Sequence, residues 1–237
     1  MRSQETALGV IMLDTEFPRP IGDVGHVNSW NIPVRFYKVP KASPDLVIRH
    51  GSKGLLDGFV KAGNALIDNG CTALITSCGF LARHQKLLGA EFSVPFASSS
   101  LVQVSAVQSM LGDTGRVGVI TYDAQSLTEE NFIACNADPK TPVIGVPNNG
   151  VFRALIEGGA AYDFHALETE IISAARTLVS KHPQIRAIVL ECTNMPPFAK
   201  SISQAVGLPV FDILSVGHWL YQSTQPRDFA QLQQRAK

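Results

Sequence analysis

The chain has 237 residues, of which 45% are hydrophobic and 17% are charged. This length and composition suit one large α/β unit or two small domains with an ample hydrophobic core. Its 20 Lys and Arg balance its 20 Asp and Glu, so the formal net charge is zero. This balance gives no support for nucleic-acid binding, and no apolar run approaches membrane-spanning length. Because the four cysteines form no Cys-x-x-Cys pair, we expect free thiols in a cytoplasmic protein.

Short apolar or β-branched runs alternate along the chain with segments whose apolar residues recur every three to four positions. The runs predict strands at 8–13, 34–39, 73–77, 94–97, 117–121, 142–146, 186–191 and 208–213. The periodic segments predict helices at 53–68, 80–88, 99–111, 150–158, 164–181 and 197–206. Strands that alternate with helices are typical of parallel sheets built from βαβ units.

The second part of the chain is a faint copy of the first. The segment 73–80 (ALITSCGF) aligns with 187–194 (AIVLECTN), and each is an apolar strand followed by a cysteine. Pro95 follows Cys78 by seventeen residues, and Pro209 follows Cys192 by the same number. Earlier, 8–11 (LGVI) matches 117–120 (VGVI). Landmarks in the same order and spacing indicate two related halves.

We therefore predict an α/β fold of two pseudo-symmetric parallel-sheet domains with a central active-site cleft. The first domain is expected to comprise residues 1–97 plus 212–237, and the second residues 98–211. The terminal segment is assigned to the first domain because Val216, Trp219 and Leu220 form an amphipathic pattern. The stretch 224–228 predicts a break before a short last helix.

Cys78 and Cys192 both stand at the carboxyl ends of predicted strands, where ligands bind in parallel α/β sheets. A cysteine that precedes a helix faces unpaired N–H groups, which favour the thiolate and also bind carboxylate oxygens. Thr193 or Asn194 is expected to cap the helix after Cys192. Two such corners facing each other would place a sulfur on either side of a substrate's α-carbon.

The paired strand-cysteine motifs, the Cys192-Thr193 step and the two-half layout resemble the aspartate/glutamate racemase superfamily, which includes hydantoin racemases, arylmalonate decarboxylases and maleate isomerases. The resemblance covers nearly the whole chain. It implies an enzyme without cofactor or metal, in which Cys78 and Cys192 exchange protons with the substrate. It also implies substrate contacts for Asp14, after the first strand, and for Thr121, at the end of the matching strand. A homodimer is compatible with it.

Further candidates surround the two cysteines. This chain has Gly79-Phe80 where the best-known racemases have Asn-Thr, and Asn194 where they have His or Glu, so Phe80 indicates a less polar or larger ligand. The Pro- and Gly-rich segment 17–25 is interpreted as a lid whose Arg19 pairs with a substrate carboxylate. Ser99 is a candidate hydroxyl in the cleft. Strand alternation directs Ser77 and Glu191 away from the thiols unless the strand end twists.

These observations predict a racemase or epimerase of a small, amino-acid-like carboxylate. The alternatives are a maleate-isomerase-like enzyme with a nucleophilic cysteine, a small-molecule-binding protein without chemistry, and a redox sensor whose cysteines form a disulfide. A decarboxylase is less favoured, because that activity resembles a one-cysteine site. No histidine has metal-ligand spacing to the cysteines, and no nucleotide-binding motif is present.

Overall fold

The computed structural model describes residues 5–52, 54–226 and 229. In this part of the chain the strands are β1 (Ala7–Met12), β2 (Val34–Lys38), β3 (Cys71–Thr76), β4 (Phe96–Ala97), β5 (Arg116–Thr121), β6 (Val143–Gly145), β7 (Ile185–Leu190) and β8 (Val210–Phe211). The α-helices are α1 (Pro44–Ile48), α2 (Leu56–Asp68), α3 (Gln85–Ala90), α4 (Val104–Met110), α5 (Glu129–Ala134), α6 (Val151–Gly158), α7 (Phe164–Lys181), α8 (Ala199–Val206) and α9 (Ile213–Ser223). Short 3₁₀ helices cover Val27–Ser29, Gly79–His84, Ser100–Gln103 and Pro196–Phe198. None of the helices in these residues is long and apolar enough to cross a membrane.

The strands form two four-stranded sheets whose neighbouring strands are all parallel. Their orders are β2-β1-β3-β4 and β6-β5-β7-β8, so the second sheet repeats the topology of the first. The predicted α/β class and the internal repeat are confirmed. The division into domains at 97/98 and 211/212 stays a prediction, although α9 packs on β1, β3 and β4 of the first sheet.

The matched glycines of the repeat, Gly9 and Gly118, are required for the same structural reason. A Cβ on Gly9 would come within 2.5 Å of the Leu74 side chain, and one on Gly118 within 2.6 Å of Ile185. Each glycine therefore lets neighbouring apolar side chains pack tightly against the first strand of its sheet. The repeated LGVI and VGVI segments reflect this packing.

Several local expectations need correction. The helix predicted at 80–88 is a 3₁₀ turn followed by α3, and α1 and α5 were not predicted. Neither Thr193 nor Asn194 caps a helix, because the next helical segment begins at Pro196 with Met195 as its N-cap. In α9, Val216 is buried but Trp219 is 56% exposed, so only part of the predicted apolar face packs inward. The break and last helix expected after residue 224 fall mostly outside the described residues.

Candidate active site

A narrow pocket opens between the carboxyl ends of the two sheets. Its walls come from segments that follow β1, β3, β5 and β7, together with α1 and α6. The lining residues are Leu13, Thr15, Phe17, Arg19, Pro44, Ile48, Ser77, Cys78, Gly79, Phe80, Tyr122, Ile156, Glu191, Cys192, Thr193 and Asn194. The pocket therefore contains both cysteines, in the position that parallel α/β sheets use for ligands.

The Cys78 thiol lies at the start of the Gly79–His84 turn and is 7% exposed. Burial and the charge of Glu191 raise its pKa to about 12. The backbone N–H groups of Phe80 and Leu81 act against this rise, and so does the positive charge of Arg19. This corner thus offers two hydrogen-bond donors and a cation to a thiolate.

The Cys192 thiol is 8% exposed and lies in less favourable surroundings for a thiolate. Burial, followed by the charge of Glu191, raises its pKa well above the usual value, and Asp23 adds to the rise. One backbone N–H, that of Asn194, opposes it. The thiol lies 3.7 Å from Asn194 Oδ1, to which it donates. Fewer neighbouring groups therefore favour a thiolate at Cys192 than at Cys78.

Glu191 is fully buried between the two corners. Its Oε2 accepts a hydrogen bond of 2.6 Å from the Thr121 hydroxyl, while Oε1 has no partner among the described residues. Burial raises the pKa of this carboxyl to about 7; the Thr121 bond opposes the rise and the charge of Asp123 adds to it. A buried carboxyl that titrates near neutrality is a common feature of catalytic sites.

The loop after β1 crosses from the first half onto the second. Asn194 Nδ2 donates to Asp23 Oδ2 over 2.6 Å, and the Val24 N–H donates to the Thr193 carbonyl over 3.4 Å. Arg19 donates to Asp23 over 2.7 Å and to the Thr15 hydroxyl over 2.8 Å. These bonds use two of the five guanidinium donors, so others remain for a ligand in the pocket. The loop thus covers the pocket with Arg19 in its wall.

Charged residues of both halves meet in a neighbouring pocket that shares part of its lining with this one. Arg49 of the first half pairs with Glu157 of the second over 2.6 Å. The Tyr122 hydroxyl donates to the same carboxylate over 2.5 Å, and the Arg153 guanidinium lies 4.7 Å from the Tyr122 ring centroid. This network holds the Tyr122 ring in the pocket wall.

The structure brings seven of the predicted site residues together in the pocket lining: Cys78, Cys192, Gly79, Phe80, Thr193, Asn194 and Arg19. It does not bring the other three. Asp14 pairs with Lys38 and accepts from the Lys41 N–H outside the pocket. Thr121 is fully buried behind Glu191, and Ser99 caps the Ser100–Gln103 turn. None of the three lines this pocket, and the ligand contacts expected of Asp14, Thr121 and Ser99 stay predictions.

Glu191 and Tyr122 are two of the pocket residues that the sequence did not identify as site residues. Strand alternation directed Glu191 away from the thiols, but β7 ends at Leu190 and the chain turns before Cys192. The sequence signal for Glu191 was its position directly before Cys192 in the repeated strand-cysteine motif. Tyr122 follows β5 as Leu13 follows β1, and strand ends at this edge are where lining residues are expected.

No group of three or more His, Cys, Asp or Glu side chains in the described residues is arranged to hold a metal ion. The chemistry available to the pocket residues themselves is that of acids, bases and hydrogen-bond donors: two thiols, one carboxyl and one guanidinium. Such a set can remove a proton next to a carboxylate and stabilise the charge that develops.

No protein-family model matches the chain. Among curated proteins, the chain is 27% identical over 227 residues to a dimethylsulfoniopropionate lyase of Durusdinium sp. clade D, covering 89% of this chain and 72% of that protein. It is 30% identical over 224 residues to dimethylsulfoniopropionate lyase 3 of Emiliania huxleyi, covering 88% of this chain and 57% of that protein. The chain thus spans little more than half the length of the second relative.

Solved structures support the fold. A mutant of arylmalonate decarboxylase in a sulfate-associated form superposes with a TM-score of 0.61 at 15% identity, covering 90% of both chains. The aspartate racemase of Picrophilus torridus superposes with a TM-score of 0.56 at 13% identity, covering 93% of this chain and 95% of that one. The chain has the fold of the aspartate/glutamate racemase superfamily, as its motifs predicted.

The activity expected from the sequence is not supported. Curated relatives that match about nine tenths of the chain are named as lyases, so the prediction of a racemase or epimerase is wrong. Both the sequence relatives and the structural neighbours are enzymes by name, which supports an enzyme over a binding protein without chemistry. The homodimer stays a prediction.

Proposed function

We propose that this chain is a lyase that eliminates a dialkyl sulfide from a small β-sulfonium carboxylate of the dimethylsulfoniopropionate type. The observation that carries the proposal is the combination of lyase relatives with a pocket that holds two thiols beside an arginine. The fold alone is compatible with several reactions, so the pocket residues have to account for this one.

The substrate would be a zwitterion, and the pocket offers complementary groups for both charges. Arg19 is the guanidinium of the lining, and its free donors suit a carboxylate. The rings of Phe80 and Tyr122 form walls that suit a sulfonium, whose positive charge favours aromatic faces. Glu191 and Asp23 add negative charge near the Cys192 corner. Neither charge of the substrate would be buried without a partner.

The reaction needs one base. In the proposed step, the Cys78 thiolate removes a proton from the carbon next to the carboxylate. The C–H electron pair forms the double bond, the bond between the β-carbon and sulfur breaks, and dimethyl sulfide leaves with that bond's electrons. The products are acrylate, dimethyl sulfide and the Cys78 thiol, which returns its proton to solvent. Arg19 stabilises the negative charge that develops on the carboxylate oxygens.

Cys78 is assigned as the base because it has two N–H donors and Arg19 beside it, whereas Cys192 donates to Asn194. The cationic substrate also helps, since a positive charge close to the thiol lowers its pKa. An elimination does not need a proton returned to the opposite face of the α-carbon. The second thiol is therefore assigned to the pocket wall instead of to proton transfer.

The test is an assay of dimethyl sulfide by headspace gas chromatography after the reduced protein is mixed with dimethylsulfoniopropionate. We expect release by the wild-type chain and none by Cys78→Ser/Cys192→Ser, with acrylate formed in equal amount. The thioether analogue, 3-(methylthio)propionate, is the matched control, because it keeps the carboxylate but lacks a cationic leaving group. Absence of dimethyl sulfide from folded protein with free thiols would contradict the proposal.

A further inference from the structure

Asp23 is a buried charged residue in the loop over the pocket, and it is not among the residues that line the pocket. Its side chain is 2% exposed and pairs with Arg19 over 2.7 Å. Both carboxylate oxygens are used. Oδ1 accepts from Arg19 and, over 2.8 Å, from the Gly25 N–H, while Oδ2 accepts from Asn194 Nδ2 over 2.6 Å. A buried carboxylate with three donors around it holds those donors in fixed directions.

These bonds determine the orientation of the Asn194 amide. An ionised carboxylate can only accept hydrogen bonds, so the amide has to direct its NH₂ group at Asp23. The amide oxygen is then the atom that faces Cys192, and it lies 3.7 Å from the sulfur. The sulfur can bond to this oxygen only as a donor, which requires the proton to stay on Cys192. Asp23 therefore acts on the Cys192 thiol through Asn194.

The Cys78 corner has no counterpart of this hydrogen-bond chain at the matching position. In the repeat, the residue that corresponds to Asn194 is Phe80, whose side chain has no hydrogen-bonding group. The groups that favour a thiolate at Cys78 are two backbone N–H groups and the charge of Arg19. The amide oxygen that accepts from a thiol is thus a feature of the Cys192 corner.

We infer that Asp23 is a positioning residue that orients the Asn194 amide, so that the amide oxygen keeps the proton on Cys192. Cys78 is then the thiol that serves as the base. The inference rests on the proposed function for its catalytic meaning, because an elimination needs one thiolate and not two. A second thiolate would place another negative charge in a pocket that has to accept a carboxylate. The same residue holds Arg19, so one buried carboxylate positions both groups.

Asp23→Asn is expected to turn the Asn194 amide over. The new side chain has one oxygen, and both Arg19 and the Gly25 N–H need it, so its NH₂ group would face Asn194. The Asn194 oxygen then accepts from this group, and the Asn194 NH₂ group faces the Cys192 sulfur. A donor in place of an acceptor stabilises the thiolate. The substitution should therefore make Cys192 more reactive.

The test is the rate at which iodoacetamide alkylates Cys192 at pH 8 in the ligand-free protein, followed by peptide mass spectrometry. We expect Asp23→Asn to raise this rate roughly tenfold, as the exchange of a hydrogen-bond acceptor for a donor implies. Cys71 and Cys135, which are buried outside the pocket lining, report any general loosening and should keep their wild-type rates. Asp212→Asn, which removes another buried carboxylate but keeps a good helix cap, is the matched control and should leave the Cys192 rate unchanged.

A double-mutant cycle with Asn194→Leu separates the action through the amide from the direct charge of Asp23. Leucine has a shape similar to that of asparagine but no hydrogen-bonding group. In this background Asp23→Asn should change the Cys192 rate by less than about threefold, because Arg19 compensates the charge that is lost. Where Asp23→Asn fails to fold, Asn194→Leu alone is the test, since loss of the acceptor should raise the Cys192 rate roughly threefold.

An unchanged Cys192 rate in Asp23→Asn or in Asn194→Leu would overturn the inference. An equal rise on Asp23→Asn with and without the Asn194 amide would also overturn it, since the charge of Asp23 would then act directly. A merely structural Asp23 would raise the rates of Cys71 and Cys135 together with that of Cys192. Because no substrate is present, the expected cycle in a protein that releases no dimethyl sulfide would support the role of Asp23 and refute the lyase proposal alone.

Discussion

The Cys78 corner and the Cys192 corner share one plan but differ in what surrounds the sulfur. Each cysteine follows the third strand of its sheet, and the two sheets have the same strand order. The residue before Cys78 is Ser77, whose hydroxyl accepts from the Leu13 N–H, whereas the residue before Cys192 is the buried acid Glu191. A repeat therefore sets where the two thiols lie, and single substitutions within it decide how readily each one ionises.

The two corners are also joined across the pocket in different ways. At the second corner, Thr193 donates to the Ser77 carbonyl over 2.7 Å. At the first corner, Gly79 contributes no side chain and leaves space for the Glu191 carboxyl. The Glu191 carboxyl of the second half therefore lies beside the Cys78 corner of the first half. An asymmetric pair of this kind suits a reaction with one base better than a reaction that requires two equivalent ones.

The largest expected effect comes from replacing each cysteine separately. We expect Cys78→Ser to lower kcat/KM for dimethyl sulfide release by roughly 10³-fold, because general-base catalysis contributes about 10²–10⁴-fold. Cys192→Ser should lower it by no more than about tenfold. Headspace gas chromatography on both purified variants, with circular dichroism as the check of folding, measures the ratio. Equal losses in the two variants would break the proposed asymmetry.

A smaller effect is expected at Arg19, which favours ionisation of Cys78 and not of Cys192. Arg19→Lys keeps the charge but loses the planar donor pair, so we expect KM to rise roughly 10-fold to 100-fold, as a lost charged hydrogen bond of about 1.5–3 kcal/mol implies. Steady-state kinetics over a range of substrate concentrations provide the measurement. Arg35→Lys, on β2 and outside the pocket lining, is the matched control and should keep the wild-type KM. An unchanged KM in Arg19→Lys would show that the carboxylate binds elsewhere.

The raised pKa of Glu191 predicts a pH-dependent difference in stability. A carboxyl whose pKa is higher in the folded state, about 7 against 4.5, binds its proton more tightly when folded. The wild type should therefore lose stability relative to Glu191→Gln as pH rises from about 4.5 to 7, by on the order of 3 kcal/mol in the free energy of unfolding. Urea denaturation of both proteins at pH 5 and pH 8 measures it. The same difference at both pH values would mean that the pKa of Glu191 is not raised.

The smallest effect is expected at the ion pair between the two halves. Arg49 and Glu157 are each close to half exposed, and exposed pairs contribute about 1 kcal/mol or less. Arg49→Ala should therefore change the free energy of unfolding by less than about 1 kcal/mol. It should change KM by less than about threefold, since Tyr122 keeps its own bond to Glu157. A large rise in KM would show instead that this ion pair closes the pocket mouth.

The repeat made the fold class predictable, because eight apolar runs with three landmarks repeated in the same order indicate two similar parallel-sheet halves. The positions of Cys78 and Cys192 followed from the same pattern. Helix α1 was missed although Ser43 followed by Pro44 is a typical helix start, and α5 was missed although Thr128 and Asn131 form a capping pair. The short length of both helices left too few residues for a periodic signal.

The other contacts of the candidate site could not be predicted from local sequence patterns. The bond between Asp23 and Asn194 joins residues 171 positions apart, so it depends on how the two halves pack. Asp14 and Leu13 both follow β1, yet only Leu13 lines the pocket, because Asp14 turns to Lys38 and the Lys41 N–H. Alternation along a strand does not continue past its last residue, which is why it could not decide on which side Glu191 lies.

The most direct test of the one-base elimination is proton NMR of dimethylsulfoniopropionate incubated in D₂O with the wild-type chain and with Cys192→Ser. The account predicts that the vinyl resonances of acrylate and the methyl resonance of dimethyl sulfide grow together in both samples. The two products should form in equal molar amounts. Deuterium entering the α-carbon of substrate that persists without these products would contradict it.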